Sequence, residues 1–517
     1  MKYNVDTERQ LFECVRNEIT VQGNLLYAGA MLRHAADRFG DRLALIYQDE
    51  RITFEQLYQR ARAGARLLKQ RGVVRGDRVL ICFENSPDFY IAYFAVWQAG
   101  AVVVPVNTFL KEHELHYIVT DAQPKIICTS SDRISLFVGI TIPIIIPSDM
   151  STDTALLTEA SSDDIIEQEH DAVCALLYTS GTTGVPKGVM LSSRAIVTNV
   201  LQVIARLQKV IRAGERIFAV LPLFHVFAQN TCVWAPMLTG CTVILVSKID
   251  RRLIVRGLAH KPTFFLGVPA LYGMLCLLKT APLDSVEYFV SGGDALPDKI
   301  RGAFALLYRR KICNGYGLTE TSPVIAVDLE VYAGPTGTVG KPLIDVICVA
   351  RNEQGVDLPV GAIGELWTSG PHVMIGYYHE PELTKRVLVN GFFRTGDLGY
   401  IDATNTIVIT GRLKDLIIHK GFNIYPQEIE NVLLSHGNVI GAGVVGAIDD
   451  EGGEVPVAFV QLRSPDALIE QTLRVLCLQR LARYKVPRSF ICSIESLPTT
   501  PTGKVDKKVL RQRLIAK

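Results

Sequence analysis

Residues 79–106 read VLICFENSPDFYIAYFAVWQAGAVVVPV, and this stretch decides the fold. Residues 79–83 form an apolar run that is typical of a buried strand, and residues 101–106 form a second one. Between them, Pro87 suits the first turn of a helix that ends near Gly100. A strand, a helix and a strand in succession predict parallel strands joined by a covering helix, which is the unit of an α/β fold.

The same alternation extends to both sides of this stretch. Thr53 and Gln56 have the spacing of a capping box at the start of a helix, and Gly72 supplies its stop. Downstream, the pattern predicts a helix at 112–120 and a strand at 125–128. Further strands are predicted at 217–222, 242–246, 263–267 and 285–290. The sequence therefore predicts a mostly parallel sheet system that helices cover on both faces.

The pattern changes in the last third of the chain. Residues 334–411 contain short β segments with frequent glycine and proline, which predict a smaller β-rich unit. A compact α+β unit follows, with predicted strands at 443–448 and 455–462 and a predicted helix at 466–482. We place a hinge at Arg412–Asp415, and hence a boundary between a large N-terminal domain, 1–411, and a small mobile C-terminal domain, 412–517.

Composition and charge exclude several classes of protein. A chain of 517 residues predicts more than one domain. Its 54 basic and 52 acidic residues give a net charge of +2, so we expect no nucleic-acid partner. Hydrophobic residues make up 48% of the chain, but the apolar runs are short and broken by glycine or proline, so no membrane-spanning helix is predicted. The 11 cysteines form no CxxC pair, and we expect buried, reduced thiols.

A loop of hydroxyl-bearing residues and glycines, YTSGTTGVPKG at 178–188, directly follows an apolar run at 174–177. Glycine lets backbone N–H groups converge on an anion, Ser and Thr hydroxyls add donors, and Lys187 adds positive charge. The spacing is not that of a Walker A loop, because Lys187 follows Gly184 by three residues and precedes Gly188. The loop therefore predicts phosphate binding, with a flexible polar turn as the alternative.

Further segments, taken together with this loop, resemble the signature motifs of the adenylate-forming superfamily, which contains acyl-CoA synthetases, carrier-protein adenylation domains and firefly luciferase. In the order that the family has them, they are LPLFH at 221–225, SGGDALP at 291–297, NGYGLTETSP at 314–323, TGDLG at 395–399, GRLKDLIIHKGFNIYPQEIE at 411–430 and PTGKVDKK at 501–508. The resemblance extends from about Asn24 to the C-terminus. It implies that ATP and a carboxylic acid bind between the two domains.

The resemblance also implies a two-step reaction with ATP, Mg²⁺ and CoA as cofactors. A carboxylate first attacks the α-phosphate of ATP, which forms an acyl-AMP anhydride and pyrophosphate, and the thiol of CoA then displaces AMP. The first step brings two anions together, so it needs cations and hydrogen-bond donors around the phosphorus.

Matched positions assign the nucleotide site. The residues implied to hold the β- and γ-phosphates are Thr179, Ser180, Gly181, Thr182, Thr183, Gly184 and Lys187. The remaining nucleotide-binding positions are Gly293, Asp294, Asn314, Gly315, Tyr316 and Gly317. Within this set, Tyr316 is implied to stack on adenine, with a core aromatic side chain as the alternative. Asp397 is implied to accept the ribose hydroxyls, and Arg412 to accompany it near the ribose and phosphate.

The catalytic set implied by the resemblance is Lys504, Glu320, Thr319 and His225. Glu320 corresponds to the Mg²⁺ ligand, Thr319 to a phosphate donor and His225 to a residue beside the acyl site. Lys504 corresponds to the lysine that reaches the carboxylate and α-phosphate, although by composition alone it is one cation of a basic tail. The pantetheine arm of CoA is implied to pass Gly421, and Lys414 corresponds to the hinge.

The segments 226–234 and 263–272 are mainly apolar, which favours an alkyl or aryl acid. We expect a medium- or long-chain fatty acid–CoA ligase. An aryl acid such as coumarate, and a fatty acyl-AMP ligase that loads a carrier protein, are the enzyme alternatives. A silent nucleotide- or acyl-binding protein of the same fold is the alternative outside catalysis.

The expected partners are small molecules, namely the acid, ATP and CoA. A basic stretch at 474–488 is compatible with a weak peripheral membrane contact. A homodimer is a further alternative. The polar residues 1–13 lack the apolar core of a secretory signal and favour a cytoplasmic location.

Overall fold

The stretch that decides the fold has the predicted course. In the structure, a computed structural model, strand Arg78–Cys82, helix Pro87–Gln98 and strand Val102–Pro105 follow one another, and the two strands pair in parallel. The structure describes residues 5–21, 24–151, 169–180, 186–207, 212–278, 281–329, 335–419, 422–448, 454–500 and 504–515. The prediction of a parallel α/β arrangement is confirmed.

This stretch lies inside a first sheet. Its strands run in the spatial order Gly376–Tyr377, Pro186–Ser192, Val173–Ser180, Val102–Pro105, Arg78–Cys82, Ile126–Thr129 and Ile144–Ile145. Strand Pro186–Ser192 pairs antiparallel with both of its neighbours, whereas the strands from Val173–Ser180 onward are parallel. The loop that is predicted to bind phosphate therefore lies, in sequence, between two antiparallel strands near one edge of an otherwise parallel sheet.

A second sheet holds most of the remaining strands. Their spatial order is Ile347–Arg351, Gly364–Ser369, Phe392–Ile401, Ile407–Arg412, Thr338–Pro342, Val324–Asp328, Ile312–Gly317, Tyr288–Ser291, Phe264–Gly267, Arg216–Ala219, Thr242–Leu245, Leu43–Tyr47 and Glu50–Thr53. The block from Ile312–Gly317 to Leu43–Tyr47 is parallel, and the strands beyond it are antiparallel. The predicted β-rich unit thus exists, but it continues the main sheet through the pairing of Ala326 with Pro342.

Helices connect and cover these strands. Their bounds are Val5–Glu18, Met31–Phe39, Phe54–Gln70, Pro87–Gln98, Glu112–Ala122, Pro147–Ser151, Ser193–Leu207, Val226–Ala228, Ala235–Thr239, Arg251–Leu258, Pro269–Leu278, Asp298–Tyr308 and Pro381–Val387. The predicted capping box is confirmed, because Thr53 Oγ1 accepts from Gln56 N at 3.1 Å and the Gln56 side chain accepts from Thr53 N at 3.0 Å. The helix that it starts ends at Gln70, just before Gly72.

Two predicted strands extend three residues beyond the observed ones at one end, because the strand predicted at 217–222 ends at Ala219 and the one predicted at 285–290 begins only at Tyr288. The run 285–290 was expected to be a strand, but the strand is Tyr288–Ser291. Val286 is fully buried, yet its N–H donates to Leu283 O in a turn. A buried apolar residue in a turn has the same sequence pattern as the start of a strand, which explains the shift.

The C-terminal part has its own sheet and its own apolar core. Its elements are strands Ile417–His419, Phe422–Ile424, Val439–Ile448, Glu454–Leu462 and Ser489–Ser493 and helices Pro426–Leu434, Ile469–Arg480 and Lys507–Ile515. The core includes Ile429, Leu433, Val444 and Leu473, all buried. This agrees with the predicted strands and helix within a few residues. The predicted hinge falls where strand Ile407–Arg412 ends and the 3₁₀ turn Leu413–Asp415 begins.

The cysteines and the helices agree with two further expectations. All 11 cysteines are free thiols, and most of them are buried. Among the described residues, no helix combines the length and the apolarity that a membrane crossing needs.

Candidate active site

A cavity of about 2060 Å³ lies where the strand ends of the N-terminal part meet the C-terminal part. Of the predicted site residues, it is lined by Thr179, Lys187, His225, Gly293, Asp294, Asn314, Gly315, Tyr316, Gly317, Thr319, Glu320, Asp397, Arg412, Lys414 and Lys504. Residues 181–184 and Gly421 lie outside the described residues, and Ser180 is the last described residue before the loop. The structure therefore brings together residues that are more than 300 positions apart in the sequence.

The hairpin places Lys187 at the cavity. In its antiparallel register, Lys187 lies opposite Thr179, so a hydroxyl and an ammonium group flank the loop on both sides. Gly188 follows directly, and a Cβ there would lie 2.8 Å from Leu176 Cδ1, which is closer than side chains pack. The glycine thus fixes the approach of the two strands beside the phosphate-binding loop.

Glu320 lies in the 3₁₀ turn Thr319–Thr321, which follows strand Ile312–Gly317 in the sequence. Its Oε1 accepts a hydrogen bond of 2.8 Å from the Tyr377 hydroxyl. Burial raises the pKa of Glu320, and the hydrogen bond from Tyr377 acts in the opposite direction. Gly317 makes the turn feasible, because a Cβ there would lie 1.9 Å from Pro323 O.

Tyr377 is a site residue that the sequence interpretation missed. It lies on the short strand Gly376–Tyr377, which pairs with the hairpin strand at Val189. Its hydroxyl holds Glu320, and Lys187 Nζ lies 5.7 Å from the centroid of its ring. Tyr377 therefore joins the predicted phosphate-binding cation to the predicted metal ligand. A two-residue strand has no periodicity, so this position carries little signal in the sequence.

Asp397 and Arg412 face each other across two antiparallel strands, as their register pairing shows. Asp397 is 3% exposed, and its Oδ1 lies 2.9 Å from Arg412 Nε. The Tyr316 hydroxyl donates to Asp397 Oδ2 at 2.7 Å. The charge of Asp397 raises the pKa of Arg412. Two donors therefore fix the carboxylate that is predicted to bind the ribose, while each oxygen retains a lone pair.

His225 caps the short helix Val226–Ala228, and its Nδ1 accepts from Phe227 N at 3.3 Å. Burial lowers the pKa of His225 to about 4, and the positive charge of Lys504 contributes to this. The ring is therefore neutral at pH 7. Because Nδ1 is an acceptor, the proton is assigned to Nε2, which can donate.

Lys504 is linked to Thr500 by two hydrogen bonds that involve its main chain. Thr500 N donates to Lys504 O at 2.7 Å, and Lys504 N donates to Thr500 Oγ1 at 3.2 Å. Burial lowers the pKa of Lys504, and Asp294 across the cavity opposes this effect. Burial also lowers the pKa of Lys414 in the 3₁₀ turn at the hinge. These two lysines and Arg412 place three cations from the C-terminal side at the cavity.

Part of the cavity is lined by mainly apolar side chains, which we call the apolar wall. We use this name for Val203, Leu207, Phe227, Thr231, Phe264, Leu266, Val290, Val324 and Val327. The hydroxyl of Thr231 donates to Phe227 O at 2.8 Å, so its donor is already used. Near the wall, the buried Asn314 Oδ1 has no hydrogen-bond partner among the described residues, whereas its amide donates to Thr338 O. Asn314 Oδ1 is thus an acceptor that a ligand can satisfy.

Comparison with known protein families agrees with this site. The sequence profile described as AMP-binding enzyme matches residues 32–378, and the profile of the AMP-binding enzyme C-terminal domain matches residues 428–504. A long-chain-fatty-acid–CoA ligase from Bacillus subtilis (strain 168) is 32% identical over 94% of this chain and 93% of the relative. A 4-coumarate–CoA ligase 1 from Petroselinum crispum is 31% identical over 92% of both chains.

Solved structures of similar proteins agree with the match to the AMP-binding enzyme profile. O-succinylbenzoate coenzyme A synthetase (MenE) from Bacillus subtilis, in complex with ATP and magnesium ion, has a TM-score of 0.83 at 30% identity and covers 93% of this chain and 99% of its own. ATP-bound MatB from Rhodopseudomonas palustris has a TM-score of 0.86 at 29% identity, with 95% and 100% coverage. Apo MatB from the same organism scores 0.75. The arrangement of the present chain is therefore closer to the ATP-bound form.

Proposed function

The chain belongs to the AMP-binding enzyme family and is an acid–thiol ligase that uses ATP, Mg²⁺ and CoA, and we propose that its acid is a medium- or long-chain fatty acid. The observation that supports this proposal is the apolar wall. Eight of its nine side chains carry no polar atom, and the hydroxyl donor of Thr231 is already used within the protein. Such a surface stabilises an alkyl chain through the hydrophobic effect and offers little to a polar tail.

In the adenylation step, Lys504 is proposed to lie between the carboxylate and the α-phosphate. Its ammonium group offsets the repulsion between these two anions, which is the main obstacle to attack. Attack at the α-phosphorus breaks its bond to the oxygen that bridges to the β-phosphate, so pyrophosphate is the leaving group, and Lys187 with the loop at 180–184 is proposed to hold it. The neutral His225 borders the acyl site and offers its Nε2 proton to the carboxylate without adding charge.

The residues present fit a magnesium ion. Mg²⁺ in nucleotide sites is commonly held by one or two carboxylates and by phosphate oxygens. Glu320 supplies one such carboxylate at the cavity, and phosphate oxygens of the substrate would supply further ligands. When bound, the ion neutralises phosphate charge. The Tyr377 hydroxyl orients the carboxylate of Glu320 that would hold the ion.

The ribose and the base have their own partners. Asp397 is held by Tyr316 and Arg412 and can accept the ribose hydroxyls. The unpartnered Asn314 Oδ1 suits the exocyclic amine of adenine, which is a donor. Tyr316 is proposed to stack on the base. These contacts explain recognition of an adenine nucleotide by groups that the structure already orients.

We further propose that the boundary at 411/412 separates two domains and that the smaller one moves between the steps. It would present Lys504 for adenylation and then the loop at Gly421 for attack by CoA. The separate apolar core of the C-terminal part supports this, because a unit with its own core can rotate without unfolding. The 3₁₀ turn Leu413–Asp415 is the proposed hinge.

An acid panel tests the substrate. AMP release is measured with fatty acids from hexanoate to palmitate, with 4-coumarate and with o-succinylbenzoate, using CoA or a holo carrier protein as acceptor. Each methylene buried contributes about 0.8 kcal/mol, so kcat/KM is expected to rise about fourfold per added methylene until the wall is filled. A higher kcat/KM for an aryl acid, or for the carrier protein than for CoA, would overturn the proposal.

A further inference from the structure

Lys299 is a residue outside the predicted site that makes direct contact with the C-terminal part. It lies on the helix Asp298–Tyr308 of the N-terminal part, at the rim of the cavity. Its Nζ donates to His436 O and to Val439 O, both at 3.0 Å. Burial at this contact lowers the pKa of Lys299. A lysine on one side of the hinge thus holds two main-chain carbonyls on the other side.

The acceptor is a rigid turn, residues 435–439, which we call the carbonyl turn. His436 O also accepts from Val439 N at 3.2 Å, which closes the turn. Asn438 ties it to the segment that follows strand Glu454–Leu462, because its amide donates to Ser464 O at 2.9 Å and its Oδ1 accepts from Ser464 N at 3.0 Å. An ammonium group that binds such a turn fixes the position of the segment as a whole.

The strand that follows the carbonyl turn packs against the residues that follow Lys504. The last residue of the turn, Val439, begins the strand Val439–Ile448. In the middle of that strand, a Cβ on Gly443 would lie 2.9 Å from Val505 Cγ1 and 2.7 Å from Leu510 Cδ1, so the chain that follows Lys504 packs closely on the strand. A contact that fixes Val439 therefore also fixes the position of Lys504 in the cavity.

We infer that Lys299 is a positioning residue that selects the adenylation orientation of the C-terminal part. Its two hydrogen bonds stabilise the arrangement in which Lys504 lies in the cavity, and they must break before that part can turn for the second step. This inference rests on the proposed two-step function. It also goes beyond it, because it assigns the choice between the two orientations to a lysine whose printed side-chain hydrogen bonds both go to the C-terminal part.

The test compares Lys299→Gln, which removes the charge and shortens the side chain, with Lys299→Arg, which keeps a cationic donor. Lys125→Gln is the matched control, because Lys125 is exposed and lies before strand Ile126–Thr129, in the N-terminal part. Each protein is assayed for pyrophosphate exchange with ATP and, separately, for thioester formation from supplied acyl-AMP and CoA. Hydrogen–deuterium exchange of 435–448 and the thermal midpoint are measured in parallel.

Lys299→Gln is expected to lower kcat/KM of pyrophosphate exchange about tenfold, as for the loss of charge-assisted hydrogen bonds, and to leave thioester formation unchanged or faster. The amides of the carbonyl turn should exchange faster at an unchanged thermal midpoint, and Lys299→Arg should restore at least half of the rate. Equal loss in both half-reactions, or unaltered exchange at 435–448, would overturn the inference. If the wild type exchanged no pyrophosphate with any acid, the proposed function would fail, whereas the deuterium measurement would still report on the contact.

Discussion

The substitution Tyr377→Phe removes a single hydroxyl and should change how the site depends on Mg²⁺ and on pH. That hydroxyl donates to Glu320 Oε1 at 2.8 Å, and Tyr377 is 9% exposed. Burial raises the pKa of Glu320 and the hydrogen bond holds it down, so removal of the bond raises the pKa further. A hydrogen bond to a charged group contributes roughly 1.5–3 kcal/mol, which corresponds to about one to two pKa units.

The direction of the pH shift depends on which protonation state of Glu320 binds Mg²⁺. Mg²⁺ needs the carboxylate, so a higher pKa of Glu320 moves the acidic limb of the activity profile to higher pH, by about one unit at least. At pH values on this acidic limb, where Glu320 is protonated, the Mg²⁺ concentration for half-maximal rate should rise about tenfold by the same arithmetic.

Pyrophosphate exchange is measured from pH 5 to 9 at several Mg²⁺ concentrations. Tyr308→Phe is the control, since Tyr308 also donates one hydrogen bond, to Leu275 O at 2.7 Å. Superimposable pH profiles, with Mg²⁺ midpoints within twofold, would refute the argument. A uniform loss at every pH in both variants would point to folding and would refute it as well.

Three further predictions address catalysis, substrate and stability. Lys504→Ala should abolish pyrophosphate exchange yet still convert supplied acyl-AMP and CoA to thioester, whereas Gly421→Leu should do the reverse, and equal loss of both half-reactions in each variant would contradict the two-orientation mechanism. Val203→Phe fills part of the apolar wall and should lower kcat/KM for palmitate at least tenfold more than for hexanoate, and an equal loss for both acids would count against this placement. Glu8→Gln should lower the free energy of unfolding by about 3 kcal/mol, because it leaves the buried guanidinium of Arg206 without its carboxylate, and an unchanged urea midpoint would exclude this role.

The elements that sequence reasoning found have strong local signals. The strand–helix–strand unit at 79–106 was predictable because a proline, glycines and apolar runs all agree, and the capping box at Thr53 is formed within four residues. Most of the residues predicted to bind the nucleotide line one cavity, and sequence reasoning could group them because each lies in a contiguous motif. The strand predicted at 285–290 begins only at Tyr288 in the structure. Val286 is buried by tertiary packing, which has no local signature in the sequence.

The residues that were missed have roles that only the tertiary structure creates. Tyr377 reaches Glu320 because a two-residue strand pairs with a hairpin about 190 positions away in the sequence. In the sequence, Lys299 has the pattern of a surface lysine near the start of a helix. Its acceptors are main-chain carbonyl groups, and because every residue has one, no residue type marks them. The β-rich unit was correctly recognised as β structure. Its continuity with the main sheet depends on one strand pair that no pattern marks.

Nucleotide binding and domain orientation share a structural element at Arg412. This residue is the last one of its strand, it pairs with Asp397 across the sheet, and the 3₁₀ turn Leu413–Asp415 begins at the next residue. Asp397 is almost fully buried, and an unpaired carboxylate in that place would be costly, so its ion pair with Arg412 is strongly favoured. In the proposed mechanism, a ribose bound to Asp397 would act on Arg412, which immediately precedes the proposed hinge. Nucleotide occupancy would then be coupled to the position of the C-terminal part through the ion pair of Asp397 and Arg412, so that loss of AMP would release the orientation that ATP favours.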